Sequence, residues 1–152
     1  MKFKSLREIL QFALGKEESS VDFYDTLALR VRNPDTAAVF EAIARQEKRH
    51  IDAVKLELFK LGYTLPETAE PSSESKSADV ELDERGGELT YLDALRLGLQ
   101  KERASFRLYA ELMVLAEDEE SQKMFAELAE EEVRHILQFE REIAAVSGQP
   151  RR

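Results

Sequence analysis

The sequence predicts an all-α protein, a four-helix bundle made of two repeated helical hairpins joined by a long crossover. Three observations carry that prediction. Four long segments place apolar residues at the i, i+3, i+4, i+7 spacing of a helix face. One stretch occurs twice: Phe125 to Ile136 reads FAELAEEEVRHI, and 85 residues upstream Phe40 to Ile51 reads FEAIARQEKRHI. The two halves are separated by residues 63–87, which carry Pro66, Pro71, serines and Gly86-Gly87 but no core pattern.

The first helix opens at Ser5, whose spacing to Glu8 is that of a capping box. Its apolar stripe runs Leu6, Ile9, Leu10, Ala13, Leu14, Val21, Tyr24, Leu27, Ala28 and Val31, and Glu17 falls inside it. Asn33-Pro34 breaks the chain and starts the second helix, with Asn33 as N-cap and proline at the first helical position. That helix runs to Leu61 with the stripe Val39, Phe40, Ile43, Glu47, His50, Ile51, Val54, Leu58 and Leu61, and Gly62 is its stop. Thr90 and Asp93 open the third helix, striped by Leu92, Leu95, Leu99, Glu102, Phe106, Tyr109, Leu112, Met113 and Ala116. Acidic Asp118, Glu119 and Glu120 suit the positive N-terminus of the fourth. Its stripe is Met124, Phe125, Leu128, Glu132, His135, Ile136, Phe139 and Ile143, and Gly148 ends it. The predicted single domain, 1–152, is thus a hairpin over 5–62, a linker over 63–87, a hairpin over 88–147 and a frayed tail over 148–152. Short bundle loops need only about 2–8 residues. The long linker therefore predicts a crossover along the bundle's length.

Composition narrows the function. The 152 residues include no cysteine, which excludes disulfides, thiolate zinc sites and iron–sulfur centres. A net charge of −9 argues against a nucleic-acid partner, whose phosphates need a basic surface. No apolar run reaches the roughly 20 residues that span a bilayer, and no signal-peptide pattern opens the chain. The expectation is a cytoplasmic protein with no membrane partner.

The chemistry lies in polar residues inside apolar stripes. Both histidines of the chain sit in Glu-x-x-His, as Glu47 with His50 and Glu132 with His135. Residues three apart share a helix face, so each pair can aim a carboxylate and an imidazole at one point. Glu17 and Glu102 each lie 30 residues before the glutamate of the following motif. At about 1.5 Å per residue, each comes level with its motif near mid-bundle. Four carboxylates and two imidazoles are a mixed oxygen and nitrogen donor set, suited to iron or manganese. Two divalent cations would cancel four buried negative charges, with the histidines neutral.

This order, Glu, Glu-x-x-His, Glu, Glu-x-x-His, resembles the ferritin-like di-iron superfamily. Within it the chain is most similar to rubrerythrin-like proteins, through its size, short loops and repeated Lys-Glu-x-x-Ser-x-x-x-Tyr, at Lys16 to Tyr24 and Lys101 to Tyr109. The resemblance implies two iron ions, with manganese or a mixed pair as variants. It implies that Glu47 and Glu132 bridge the metals, that Glu17 and His50 cap one, and that Glu102 and His135 cap the other. Tyr24 and Tyr109 match family tyrosines that hydrogen-bond the centre. Rubrerythrins usually carry a further glutamate one turn after the first on the third helix. Ser105 stands there in this chain, which brings the donor set closer to a six-ligand bacterioferritin pattern. The rubredoxin domain of full-length rubrerythrins has no counterpart. Ser20 and Ser105 read as small residues that leave room. Lys16 and Lys101 read as surface lysines, and Glu18, Glu130 and Glu131 as solvated or helix-pairing charges.

The expected function is a non-haem di-iron oxidoreductase, a rubrerythrin-like peroxidase that reduces hydrogen peroxide or dioxygen with electrons from a separate donor protein. Iron oxidation for storage and a non-redox metal-binding role are the alternatives. A homodimer is the expected assembly.

Overall fold

The computed structural model describes residues 2–63, 82 and 86–148. The predicted linker, apart from Tyr63, Leu82, Gly86 and Gly87, and the tail beyond Gly148 lie outside the described residues. Four helices follow in order: α1 (Leu6–Arg30), α2 (Pro34–Lys60), α3 (Tyr91–Leu115) and α4 (Glu119–Ser147).

The boundaries follow the capping chemistry. Ser5 Oγ accepts from the Glu8 amide at 3.2 Å, and Asn33 Oδ1 from the Asp35 amide at 2.8 Å. Thr90 Oγ1 accepts from Asp93 N at 3.1 Å, and Asp118 Oδ2 from Ser121 N at 3.0 Å. The Glu8 carboxylate takes the Lys4 amide rather than that of Ser5, so the reciprocal half of the capping box is shifted by one residue. Gly62 and Gly148 follow the ends of α2 and α4 at φ 79° and 73°, the left-handed region that glycine adopts without a Cβ clash.

The crossover is visible in where it returns. Leu89 N donates to Arg30 O at 2.7 Å, and Leu89 forms an isolated parallel bridge with Val31. The Arg30 guanidinium also donates to Gly87 O at 2.9 Å. The start of α3 therefore lies beside the end of α1. The chain leaves α2 at one end of the bundle and enters α3 at the other. The result is a ferritin-like four-helix bundle in which α1 pairs with α2, and α3 with α4.

The core divides into two apolar layers. One joins Leu10 and Leu14 of α1 to Leu58 of α2, Leu112 of α3 and Phe125 of α4. The other joins Tyr24 and Leu27 to Phe40, Leu95 and Phe139. The polar residues of the stripes lie between these layers, at mid-bundle. Gly98 shows how tightly the second layer closes. A Cβ built there would lie 2.8 Å from Phe139 Cζ, so any larger residue would force that buried ring to shift.

Two residues of the predicted stripes are exposed. Phe106 is exposed at 36% because α3 buries the line Gly98, Lys101, Glu102, Leu108, Tyr109 and Leu112, which leaves position 106 on its margin. Leu61 is exposed at 40% because it is the C-cap, past the last turn that packs.

Candidate metal centre

Each polar residue of the predicted site is carried inward by an otherwise apolar helix face. Glu17, Glu47, Glu102 and Glu132 are at most 1% exposed, and His50 and His135 are buried. The six meet in two overlapping sets. One donor atom from each of Glu17, Glu47, His50 and Glu132 lies within 4.8 Å of the others. The same holds for Glu47, Glu102, Glu132 and His135, so Glu47 and Glu132 belong to both sets.

The imidazoles face the carboxylates through Nδ1. That atom of His50 lies 3.4 Å from Glu17 Oε1, 3.3 Å from Glu47 Oε2 and 3.4 Å from Glu132 Oε1. In His135 it lies 3.4 Å from Glu102 Oε1 and 3.7 Å from Glu47 Oε1. The opposite nitrogens are held across the α2–α4 face. His50 Nε2 bonds the Glu131 carboxylate, and His135 Nε2 bonds the Gln46 side-chain oxygen. Both partners accept, so each Nε2 carries the hydrogen. In a neutral ring Nδ1 then presents its lone pair to the cluster.

The atoms left without partners mark the space between the residues. Both oxygens of Glu47 and Glu132, one oxygen each of Glu17 and Glu102, and Nδ1 of both histidines are buried without a hydrogen bond. Buried polar atoms are ordinarily paired, and eight orphans converging on one point are what a cation site requires. Six hard-to-borderline oxygen and nitrogen donors with four carboxylates fit two divalent cations of the iron or manganese type.

Without cations, protons carry the balancing charge. Burial pushes Glu17 well up, and the neighbouring Glu47 charge adds to it. Burial likewise drives Glu102, up to about 7. In His50 burial opposes the charged form, but the Glu17 and Glu47 carboxylates, 3.4 Å and 3.3 Å from Nδ1, outweigh it and raise the ring to about 11. His135 shifts upward in the same way, through Glu102. Burial would raise Glu47 too, yet the His50 imidazole beside it leaves it below the usual carboxylate range.

The two tyrosines differ. Tyr24 Oη donates to Glu102 Oε1 at 2.6 Å and approaches Gly98 O at 3.2 Å. Burial, with the Glu102 charge, pushes its phenol well up, so it keeps its proton. Tyr109 stacks on Phe125 at 6.2 Å, and among the described residues it forms no counterpart bond to Glu17.

Three sequence readings need correction. Lys16 and Lys101 are buried, not surface residues. Their stems pack along the α1–α3 face, and their ammonium groups lie 5.6 Å and 5.5 Å from the ring centres of Phe12 and Phe23. Glu131 is half-exposed, but its long side chain reaches across to His50 instead of being simply solvated. Gln46, its counterpart on α2, escaped notice in the sequence. The signal was present: each directly precedes a glutamate shared by the two sets, at the 85-residue offset. With Ser20, Ser105 and Tyr109, the two lysines line a cavity of about 20 Å³, room for roughly one water.

Comparison with known proteins agrees with this fold. The family model described as Rubrerythrin matches residues 8–143. A structure of an uncharacterized conserved protein from Magnetospirillum magnetotacticum is 25% identical, with 97% of each chain covered and a TM-score of 0.75. A manganese catalase from Anabaena is 18% identical over 98% of this chain and 77% of its own, with a TM-score of 0.68. A dodecameric thioferritin, a bacterioferritin-related protein from Bacteroides fragilis, is 20% identical over 97% and 91%, with a TM-score of 0.66. No curated protein matches the sequence. Among the described residues, no helix is long and apolar enough to cross a membrane.

Proposed function

This chain belongs to the rubrerythrin family, and on that premise we propose that it is a non-haem di-iron oxidoreductase that reduces hydrogen peroxide or dioxygen with electrons from a separate donor protein. The observation that carries the reading is the sharing of Glu47 and Glu132 between two buried donor sets. One set would hold a single ion; two overlapping sets would hold a pair, with Glu47 and Glu132 offered to both, as two-metal chemistry uses. Two ferrous ions, when bound, supply the two electrons that take peroxide to water.

The chain's own residues do the rest. Glu17 with His50, and Glu102 with His135, would each close one end of the pair. Glu131 and Gln46 hold the rings so that Nδ1 faces inward. Tyr24 keeps a proton on Oη beside Glu102, which steadies that carboxylate as its surroundings change charge. The apolar layers above and below keep bulk water out and strengthen every interaction between them. A homodimer is the proposed assembly, as the commonest closed oligomer.

A second reading, ferroxidase activity in iron storage, is favoured by Ser105, which leaves the donor set at six where rubrerythrins usually have a further glutamate. Single-turnover oxidation of the iron-loaded protein by equal concentrations of peroxide and dioxygen separates the two. Faster reaction with peroxide, without iron accumulating beyond the pair, supports the peroxidase. Faster reaction with dioxygen, with continued iron uptake into a large particle, supports storage.

A further inference from the structure

The two halves of the centre are not equal, and two hydrogen bonds of different kinds make them so. His50 gives its Nε2 hydrogen to a carboxylate, Glu131, whereas His135 gives its own to an amide oxygen, Gln46. Gln46 and Glu131 occupy corresponding places, each one residue before a shared glutamate, so the difference is a substitution at one position of the repeat. A carboxylate acceptor bonds an imidazole N–H more strongly than an amide does, and leaves the far nitrogen a better donor. Glu131 also adds a negative charge near the His50 side. Its side chain is 47% exposed, so water screens part of that charge, but not the bond itself. The second bond lies on the opposite face. Tyr24 donates to Glu102 at 2.6 Å and draws charge from that carboxylate, and among the described residues Glu17 receives no such bond from Tyr109. Both differences enrich the Glu17–His50 end and deplete the Glu102–His135 end.

We infer that the two metal positions differ in affinity: the Glu17–His50 position binds a divalent cation first and more tightly, the Glu102–His135 position binds second and exchanges more readily, and Glu131 and Gln46 are the positioning residues that set the order. The inference rests on the di-metal reading above. Partners of metal-bound histidines typically change affinity by about 10–100-fold, which is the separation expected here.

Mn(II) titration of the full chain tests this, with the free ion followed by electron paramagnetic resonance. Wild type must saturate at two Mn(II) per chain. Saturation at one, or none, overturns the di-metal reading and the inference with it. His135→Ala leaves the Glu17–His50 position, and His50→Ala leaves the other. The first should bind its single ion about 10–100-fold more tightly than the second. Equal dissociation constants, with wild type still binding two, overturn the inference alone. Adding Glu131→Gln to His135→Ala keeps a hydrogen-bond acceptor but removes the charge, and should weaken binding about 10-fold. Adding Gln46→Glu to His50→Ala should tighten it, a gain that misfolding cannot mimic. No change in either double variant overturns the role assigned to Gln46 and Glu131.

Discussion

Replacing Glu132 with glutamine should have opposite consequences in the metal-free and metal-loaded protein. Glutamine keeps the shape of the side chain, so the packing around this fully buried position is retained and only the charge is lost. In the metal-free protein the charge that faces it is that of Glu47, which is held below the usual carboxylate range and shares both sets with it, each of 4.8 Å span. A like pair at that separation costs about 3–4 kcal/mol at an effective dielectric near 20. Attraction to His50, 3.4 Å away, and to His135 offsets part of this repulsion. The remaining cost is that of keeping a charge with two unpartnered oxygens out of water. The metal-free variant should therefore be as stable as wild type, or more stable by about 1–3 kcal/mol. With metal, one carboxylate shared by both ions is gone. At free metal 100-fold above the dissociation constant, binding stabilises by about 2.7 kcal/mol, and most of this should vanish. The assay is thermal unfolding of both proteins, in chelator and in Mn(II). If Glu132→Gln lowers stability equally in chelator and in metal, Glu132 is a structural residue and the reasoning fails.

The remaining predictions use the same assay. Glu102 and His50 bind protons more tightly folded than unfolded, from an ordinary 4.5 up to about 7 and from 6.5 up to about 11. Stability from such groups is complete below the ordinary value and lost as pH rises through the folded one. Metal-free protein should therefore lose stability steadily from pH 5 to 8, while metal must displace those protons and should stabilise more over the same range. Parallel pH profiles with and without metal would contradict this. Tyr24→Phe removes the bond to Glu102 and should cost about 1.5–3 kcal/mol, whereas Tyr109→Phe keeps the ring on Phe125 and should cost less. Equal losses would refute the difference between the tyrosines. Gly98→Ala brings a methyl to within 2.8 Å of Phe139 and should destabilise by about 1–3 kcal/mol despite alanine's better helix propensity. A stabilised variant would show that Phe139 moves freely aside.

The helices and the six polar residues at the centre were legible because each left a one-dimensional trace. Ser5, Asn33 and Thr90 announce three helix starts through capping, which depends on neighbours within three residues, and the acidic run Asp118 to Glu120 announces the fourth through the helix dipole. Glu17, Glu47, His50, Glu102, Glu132 and His135 stand out because a charged group in an apolar stripe must be held by something. What escaped the sequence depends on distances between helices. Lys101 looks like a surface residue until α3 is set against α1 and the Phe23 ring receives its ammonium group, and Lys16, over Phe12 of its own helix, is covered only when the α1–α3 face is assembled. Glu131 sits on the outer edge of α4, and only the approach of α2 brings His50 within its reach. Phe106 fails in the opposite sense. Its spacing from Glu102 and Tyr109 is helical, but the neighbouring helices close on the other side of that face.

The central claim is that these residues hold two metal ions between Glu47 and Glu132. Anomalous X-ray scattering from crystals grown with Mn(II) tests it directly. The account predicts two peaks about 3.5–4 Å apart, one beside Glu17 and His50, the other beside Glu102 and His135, with Glu47 and Glu132 between them. A single peak, or peaks only at surface carboxylates, would contradict it.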